Sequence, residues 1–307
     1  MSYYLKKRYG VKCAKIPLNA GFTCPNRDGT VSTDGCTFCS VRGSGDSILA
    51  FDQDLMKQYR LNLERIHHKW PHARGIPYFQ SFSNTYAPLR RLRQIYTPFL
   101  ENPDIFCLCI ATRADCLDED FVRWIASYHK DIWIELGLQS ASDETGRRIN
   151  RGYSTEDVSR ALALIRKYGL FSCVHIINSL PGETAQTMID TARWAAREHP
   201  DAVKIHMLHL ISGTRMANDY RKEPFSLLSL DEYADLVCDQ LELLPPDMVI
   251  ERITGDGMQA DLIEPLWTLK KTCVSNRIDT RMFERNTWQG RLFQRDFEPE
   301  DSLSKDS

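Results

Sequence analysis

Cys24, Cys36 and Cys39 lie in Gly21-Phe-Thr-Cys-Pro-Asn-Arg-Asp-Gly-Thr-Val-Ser-Thr-Asp-Gly-Cys-Thr-Phe-Cys39, a turn-rich stretch after a short extended run near the N-terminus. Three thiolates can hold three irons of a [4Fe–4S] cluster and leave the fourth iron open to a small molecule that takes an electron from it. The pair Cys36-Thr-Phe-Cys39 alone serves zinc ribbons, redox dithiols and iron–sulfur sites alike. A zinc ribbon needs a second pair, and after Cys39 the next cysteine, Cys107, lies far off in a predicted strand. A dithiol leaves Cys24 without a role. Asp28-Gly29 and Asp34-Gly35 are turn dipeptides that fold Cys24 back toward the pair. Phe38, between the last two cysteines, is placed to pack over whatever they hold.

Such a loop needs a frame. Apolar β-rich runs at Cys13–Leu18, Ile76–Phe82, Ile105–Ala111, Ile132–Leu138, Phe171–Ile177 and Ala202–Leu210, with another near Val249–Ile253, alternate with helical patterns. Asp52–Trp70 repeats Leu55, Tyr59, Leu63 and Ile66 at helical spacing; Ser154–Tyr168 starts on an N-cap residue and stops at Gly169; Ser229-x-x-Glu232 is a capping box for a helix to Leu244. Strand, helix, strand in repetition predicts an α/β fold with a parallel sheet, open or closed as a barrel. Its site sits at the C-terminal strand ends, where the cysteine loop also falls. Period-two alternation puts Glu135, Gly137 and Gln139 with Trp133 on one face of their strand, and Lys204 with His206 on one face of theirs. Because Lys and Glu are rarely buried unpaired, that face is predicted to line a polar pore. A structural ion pair inside the barrel is the alternative.

The bulk numbers narrow the class. With 307 residues, 42% of them hydrophobic, the chain can build a sizeable core. The 39 Lys+Arg against 41 Asp+Glu give no global field toward nucleic acid. Cations do gather in residues 1–15 (Lys6, Lys7, Arg8, Lys12, Lys15) and 270–295, two basic ends that make a phosphate-binding patch if they meet. No run approaches the roughly 20 apolar residues of a membrane span, and no signal-peptide pattern opens the chain. A cytoplasmic location without membrane contact is expected. The ten cysteines then read as metal ligands or buried small side chains rather than disulfides.

The chain resembles a known group. Cys24-x11-Cys36-x2-Cys39, with an aromatic before the last cysteine, is similar to radical S-adenosylmethionine (SAM) enzymes with a widened first interval. Arg8-Tyr-Gly10, Gly21-Phe-x-Cys-Pro-Asn-Arg-Asp-Gly29, Gly35-Cys-Thr-Phe-Cys39, Tyr78-Phe-Gln80, Thr112-Arg113-x-Asp115-Cys116, Glu135-Leu-Gly-Leu-Gln139, Arg148-Ile-Asn-Arg-Gly152, Leu180-Pro-Gly-Glu183 and Lys204-Ile-His206 resemble the bacterial YhcC/YtqA type, relatives of the radical domain of Elongator's catalytic subunit. The resemblance implies a (β/α)6 partial TIM-like barrel over residues 1–250 and a C-terminal extension over 251–297 closing it; the end of the chain, rich in Asp, Glu and Ser, is expected to be a disordered tail at 298–307. It implies a [4Fe–4S] cluster on Cys24, Cys36 and Cys39, with SAM on its open iron, cleaved to methionine and a 5′-deoxyadenosyl radical. Cofactor contacts fall to Phe38, Gln80, Ser81, Arg113, Glu135, Gln139, Ile177, Asn178 and Leu180. Lys204, His206 and Cys116 are the candidate catalytic groups, and Arg252 and Asp256 the candidate substrate anchors.

The same resemblance implies a tRNA substrate, with carboxymethylaminomethyl-uridine at the wobble position trimmed toward aminomethyl-uridine, and an electron donor such as flavodoxin or ferredoxin. Arg147, Arg148 and Arg151 are expected to suit an RNA backbone. Two alternatives stay open: radical chemistry on a small molecule, and a zinc-stabilised RNA-binding protein without catalysis.

Overall fold

Alternation decides which way each strand faces. In β1 (Cys13–Leu18), Ala14, Ile16 and Leu18 are buried against the helix layer, while Cys13, Lys15 and Pro17 face a central cavity. A computed structural model describes residues 1–41, 43, 52, 54–255 and 260–293. In it, β1 joins β2 (Arg74–Phe79), β3 (Cys107–Thr112), β4 (Asp131–Gln139), β5 (Phe171–Asn178), β6 (Ala202–Met207) and β8 (Val249–Arg252) in one parallel sheet, ordered β1-β2-β3-β4-β5-β6-β8. The sheet curls into a half barrel, the expected α/β partial barrel. The run expected as one strand from Ala202 to Leu210 breaks at Met207. Its end, β7 (Leu210–Ile211), turns away to pair antiparallel with β9 (Leu262–Glu264). The seventh parallel strand, β8, spans the expected boundary at residue 250.

The helices start where their capping chemistry directs. The helix predicted from Asp52 begins later, as α2 (Leu55–Lys69), because the Asp54 carboxylate accepts the Met56 and Lys57 amides. The others on the outer face are α3 (Leu89–Leu100), α4 (Glu119–Ala126), α5 (Asp143–Arg148), α6 (Thr155–Lys167), α7 (Ala185–Glu198), α8 (Arg215–Lys222), α9 (Leu230–Leu243) and α10 (Lys271–Glu284). Reciprocal capping boxes, Ser154 with Asp157 and Ser229 with Glu232, open α6 and α9.

The first helix, α1 (Ser2–Tyr9), stops the N-terminal end of the barrel. Leu5, 4% exposed, packs on the pore-facing Ile76, Tyr78, Cys107, Cys109, Trp133, Cys173 and Ala202. Arg8 clasps Asp131 at the start of β4 with two bonds of 2.6 and 2.8 Å, and the Tyr9 hydroxyl donates to the same carboxylate. Cys107, Cys109 and Cys173 are thus small pore-filling side chains with free thiols, and Cys238 is packed in the core on the α9 side.

Much of the charge of the two basic ends goes into contacts within the chain. Arg8 serves α1, Lys12 lies 3.8 Å over the Trp70 ring, and Lys15 points into the pore. On α10, Arg277, Arg281 and Arg285 pair with Asp231, Asp235 and Asp239 of α9, at 2.5 and 3.2 Å for the first two. Spacing by four places each row on one helix face, so the arginines zip two helices together. Arg295 and the 298–307 tail lie outside the described residues. Leu5→Ala is expected to lower the unfolding free energy by about 2–5 kcal/mol, seen as a lower urea midpoint. Lys7→Ala, on the exposed side of α1, should stay within about 0.5 kcal/mol; a Leu5→Ala midpoint equal to wild type would show that α1 does not seal the barrel.

Candidate cluster and cofactor site

After β1 the chain folds back on itself through backbone bonds. The Cys24 carbonyl accepts from the Arg27 and Asp28 amides at 2.8 and 3.2 Å, Gly35 N–H donates to the Asn26 carbonyl at 2.6 Å, and Cys39 N–H to the Cys36 carbonyl at 3.0 Å. Arg27 donates to the carbonyls of Cys39 and Ser40 at 2.9 and 2.5 Å. Cys24, Cys36 and Cys39 thereby line one cavity of about 760 Å³.

A second segment clamps this loop. The Ile149 carbonyl accepts from Thr37 N–H at 2.9 Å, the Asn150 amide donates to the Gly35 carbonyl at 2.7 Å, and Asn26 donates to the Asn150 carbonyl at 2.5 Å. Gly152, at φ +81°, lies so close that a Cβ there would sit 2.9 Å from Val31 and 3.0 Å from Asn26. Arg151 holds the clamp to the barrel. It donates to the carbonyls of Leu138, Ser140 and Tyr153 at 2.6, 2.7 and 2.9 Å and to Asp143 at 2.7 Å, and is 1% exposed. Arg151 is therefore no RNA contact, contrary to the expectation for it. Arg148 bonds the Pro181 carbonyl and Glu144.

The donor set fits an iron–sulfur cluster. Burial pushes the Cys36 thiol up to about 12, Cys39 and Cys24 add to this, and Arg113 opposes it. A thiol desolvated beside two others ionises only next to a cationic centre. Among the described residues no three His, Cys, Asp or Glu side chains converge as ligands of a single ion do; a cluster asks instead for one thiolate per iron around a cube. Polar hydrogens stand near the sulfurs, with Asn26 Nδ2 3.6 Å from Cys36 Sγ and Arg113 Nη1 3.9 Å from Cys24 Sγ. Such donors tune a cluster's potential.

Below the cysteines the cavity wall carries a layer of charge. Glu135 accepts from Lys15 on one oxygen and from Lys204, Tyr78 and His175 on the other, the last three at 2.5, 2.8 and 2.8 Å. Lys15 also bonds Glu251, and Lys204 lies 3.4 Å from the same Glu251 oxygen. Burial opposes ionisation of Glu135, but Lys15 and Lys204 outweigh it and hold the carboxyl well below the usual range. Burial likewise works against the Lys204 ammonium, and Glu135 more than restores it. Lys204 is thus a bound cation, not a free base, and Glu135 has both oxygens engaged rather than offered to a cofactor. The ion pair inside the barrel, the alternative reading, is what the pore contains. Glu135→Ala, which leaves buried lysines uncompensated, is expected to lower stability by about 3–5 kcal/mol in denaturant unfolding; a loss under 1 kcal/mol on the same scale would show that the layer is solvated.

The remaining expected residues divide by strand parity. Phe38, Gln80, Arg113, Gln139, Ile177, His206 and Arg252 line the cavity. Asn178 falls on the opposite face of β5 and exchanges amide bonds with Gln240 of α9, both 2.9 Å, so it turns away from a cofactor. Leu180 is buried with Ile149, Leu208, Leu210 and Met216, and Ser81 is 1% exposed behind the wall. Arg113 spends its fork on Asp115 at 2.9 and 2.7 Å and its last nitrogen on the Arg151 carbonyl at 3.0 Å. It reads as a positioning group beside Cys24 rather than a carboxylate receptor. Cys116 does not line the cavity, and burial and Asp115 push its thiol up to about 12. Asp256 lies outside the described residues. Tyr153 and His209, which the motifs did not single out, are also in the wall; Tyr153 directly follows the Arg-Gly pair that clamps the loop.

Leu180-Pro-Gly-Glu183 is a fastened turn. Glu183 accepts from Ser140 Oγ at 2.5 Å, and burial raises its carboxyl to about 7 against the pull of that bond. Since the folded state keeps this proton to higher pH than the unfolded chain does, the group's contribution to stability falls as pH rises from about 4.5 to 7. Glu183→Gln should flatten that part of the stability–pH curve; an unchanged slope in urea titrations across the window would refute the assignment.

Comparison with known proteins follows this geometry. The Radical SAM superfamily model matches residues 22–195, and the Radical_SAM C-terminal domain model matches residues 200–284. The chain belongs to the radical SAM superfamily, whose enzymes use a [4Fe–4S] cluster and S-adenosylmethionine. The expected YhcC/YtqA type is borne out. The chain is 42% identical over 297 residues to the uncharacterized protein YtqA of Bacillus subtilis, covering 96% of this chain and 92% of that one. It is 33% identical over 270 residues to protein YhcC of Escherichia coli, covering 86% and 85%. A 152-residue stretch, 48% of this chain and 33% of the other, is 26% identical to a tRNA uridine(34) acetyltransferase of Dehalococcoides mccartyi. Archaeal Elp3 of Methanocaldococcus infernus, lacking its N-terminus, shares the fold at a TM-score of 0.68 and 16% identity, over 94% of this chain and 68% of that one. No described helix is long and apolar enough to cross a membrane.

Proposed function

We propose that Cys24, Cys36 and Cys39 hold the cluster and that this enzyme acts on the wobble uridine of tRNA, trimming carboxymethylaminomethyl-uridine toward aminomethyl-uridine. The observation that carries the reading is a three-thiol loop opening on one cavity whose wall carries Lys15 and Lys204 paired with Glu135 and Glu251. Similarity to a tRNA uridine(34) acetyltransferase supports the substrate. Cluster and SAM, when bound, supply a carbon radical that takes a hydrogen atom from the substrate. The chain's part is to place and to exclude. Phe38, Gln80, Gln139 and Ile177 line the part of the wall assigned to the cofactor, and the stoppered barrel keeps water from a reactive centre. Hydrogen abstraction next to an amine is favoured because nitrogen stabilises the product radical, which suits an aminomethyl side chain. A flipped base would enter the mouth, as enzymes that act on bases require. The division into a core over 1–250 and a closing extension, a cytoplasmic setting, and a flavodoxin or ferredoxin donor belong to the same reading.

After anaerobic reconstitution, Cys36→Ala should lose both bound iron and deoxyadenosine formation; retention of either at the wild-type level would refute the ligand assignment. Nucleoside profiles of tRNA from a deletion strain should accumulate the carboxymethylaminomethyl form. An unchanged profile would count against tRNA and favour a small-molecule substrate.

A further inference from the structure

Several polar atoms of the cavity wall are shut off from solvent without a hydrogen-bond partner, among them His206 Nε2, His209 Nε2 and Glu251 Oε2. Such atoms destabilise a fold unless a ligand completes them. They lie on two adjacent strands and the segment that follows one of them. His206 is on β6, His209 two residues past its end, and Glu251 with Arg252 on β8, which pairs with β6.

The chemistry of this wall is specific. Burial, then His175, Arg252 and Lys204, push the His206 imidazole well down, and burial, Lys271 and Arg252 lower His209 to about 4. Both rings are therefore neutral at physiological pH and able to turn an N–H toward an acceptor. Among the described residues that line the cavity, six are basic (Lys12, Lys15, Arg27, Arg113, Lys204, Arg252) and two acidic (Glu135, Glu251); Lys15 and Lys204 pair with the two glutamates and Arg113 with Asp115, and the remaining excess is positive, so the field suits an anion. Glu251 adds one acceptor: Lys15 and Lys204 hold its Oε1, and Oε2 has no partner. The His209 ring packs on bare backbone at Gly255, where a Cβ would sit 2.4 Å from Cε1, which fixes the ring against the wall.

We infer that His206, His209 and Arg252, with Glu251 beneath them, form the substrate subsite and take the amino-acid end of an N-substituted glycine. Its carboxylate lies against the imidazole N–H groups and the guanidinium, and its secondary amine N–H donates to Glu251 Oε2, which leaves the nitrogen lone pair free to stabilise a radical on the neighbouring carbon. This deepens the proposed reading of the cavity and rests on it for what the glycine is attached to. The target C–H bonds flank the amine, so holding both the carboxylate and the N–H fixes which hydrogen faces the cofactor side.

The test uses the anaerobically reconstituted protein and two probe sets. The first is anticodon stem-loop RNA carrying 5-carboxymethylaminomethyl-uridine, its neutral carboxamide analogue, or plain uridine at the wobble position. The second is the two modified nucleosides alone. Wild type should bind the carboxylate form about tenfold or more tighter than the carboxamide. His209→Phe and Arg252→Gln should cut that ratio below about threefold, while His206→Gln, which keeps an N–H donor, retains most of it. Thermal unfolding and the cluster's visible absorption check that each variant is intact, and carboxamide affinity gives the baseline. Equal affinity of wild type for carboxylate and carboxamide, or folded variants that keep the preference, would overturn the inference. A preference seen with the nucleosides, with stem-loops bound no better than plain uridine RNA, would sink the tRNA reading and leave the subsite standing. Loss of the preference in both probe sets would end the subsite.

Discussion

Glu135 is a carboxylate that must stay ionised at the bottom of a water-poor pore, and much of the barrel's interior is arranged to allow it. Desolvation alone would neutralise such a group. Lys15 from β1, Lys204 from β6, Tyr78 from β2 and His175 from β5 converge on its two oxygens, and Glu251 from β8 balances the second lysine. Five strands besides its own contribute to one electrostatic unit. A slip of one residue in any of them would turn its partner into the helix layer, so the network also specifies register.

The cysteine loop depends on a different kind of order. Few of its side chains reach a large apolar core; its shape comes from backbone bonds and from the clamp at Ile149–Gly152. Arg151 carries that clamp down to the end of β4 through three carbonyls and Asp143, the planar fork matching acceptors that a lysine could not serve together. The site is thus set by two rigid anchors, the parallel sheet below and the guanidinium behind.

What the sequence disclosed follows the reach of local rules. Period-two alternation placed Glu135, Lys204 and His206 in the pore, and the capping boxes at Ser154 and Ser229 marked helix starts that the structure shows. Parity would equally have turned Asn178 away, since His175 and Ile177 face the cavity and it does not. What stayed hidden is contact across long separations. Nothing near Arg8 announces Asp131, 123 residues on, and nothing near Arg277 announces that α10 would spend its charge on α9. Arginines counted as a surface field were internal fasteners. Arg151, fully buried, could not be told from its exposed neighbour Arg147 without coordinates.

Cys107, Cys109 and Cys173 fill the pore with α1 and are absent from the cavity wall, which carries the Lys15–Glu135–Lys204 layer. Sulfur–hydrogen bonds surrender hydrogen to carbon radicals more readily than most carbon–hydrogen bonds do. A chamber that generates such a species therefore gains from holding packed thiols out of its wall. Ammonium and carboxylate groups locked together offer little that a radical can oxidise, and among the described residues Cys13 is the one thiol besides the three cluster ligands that faces the cavity.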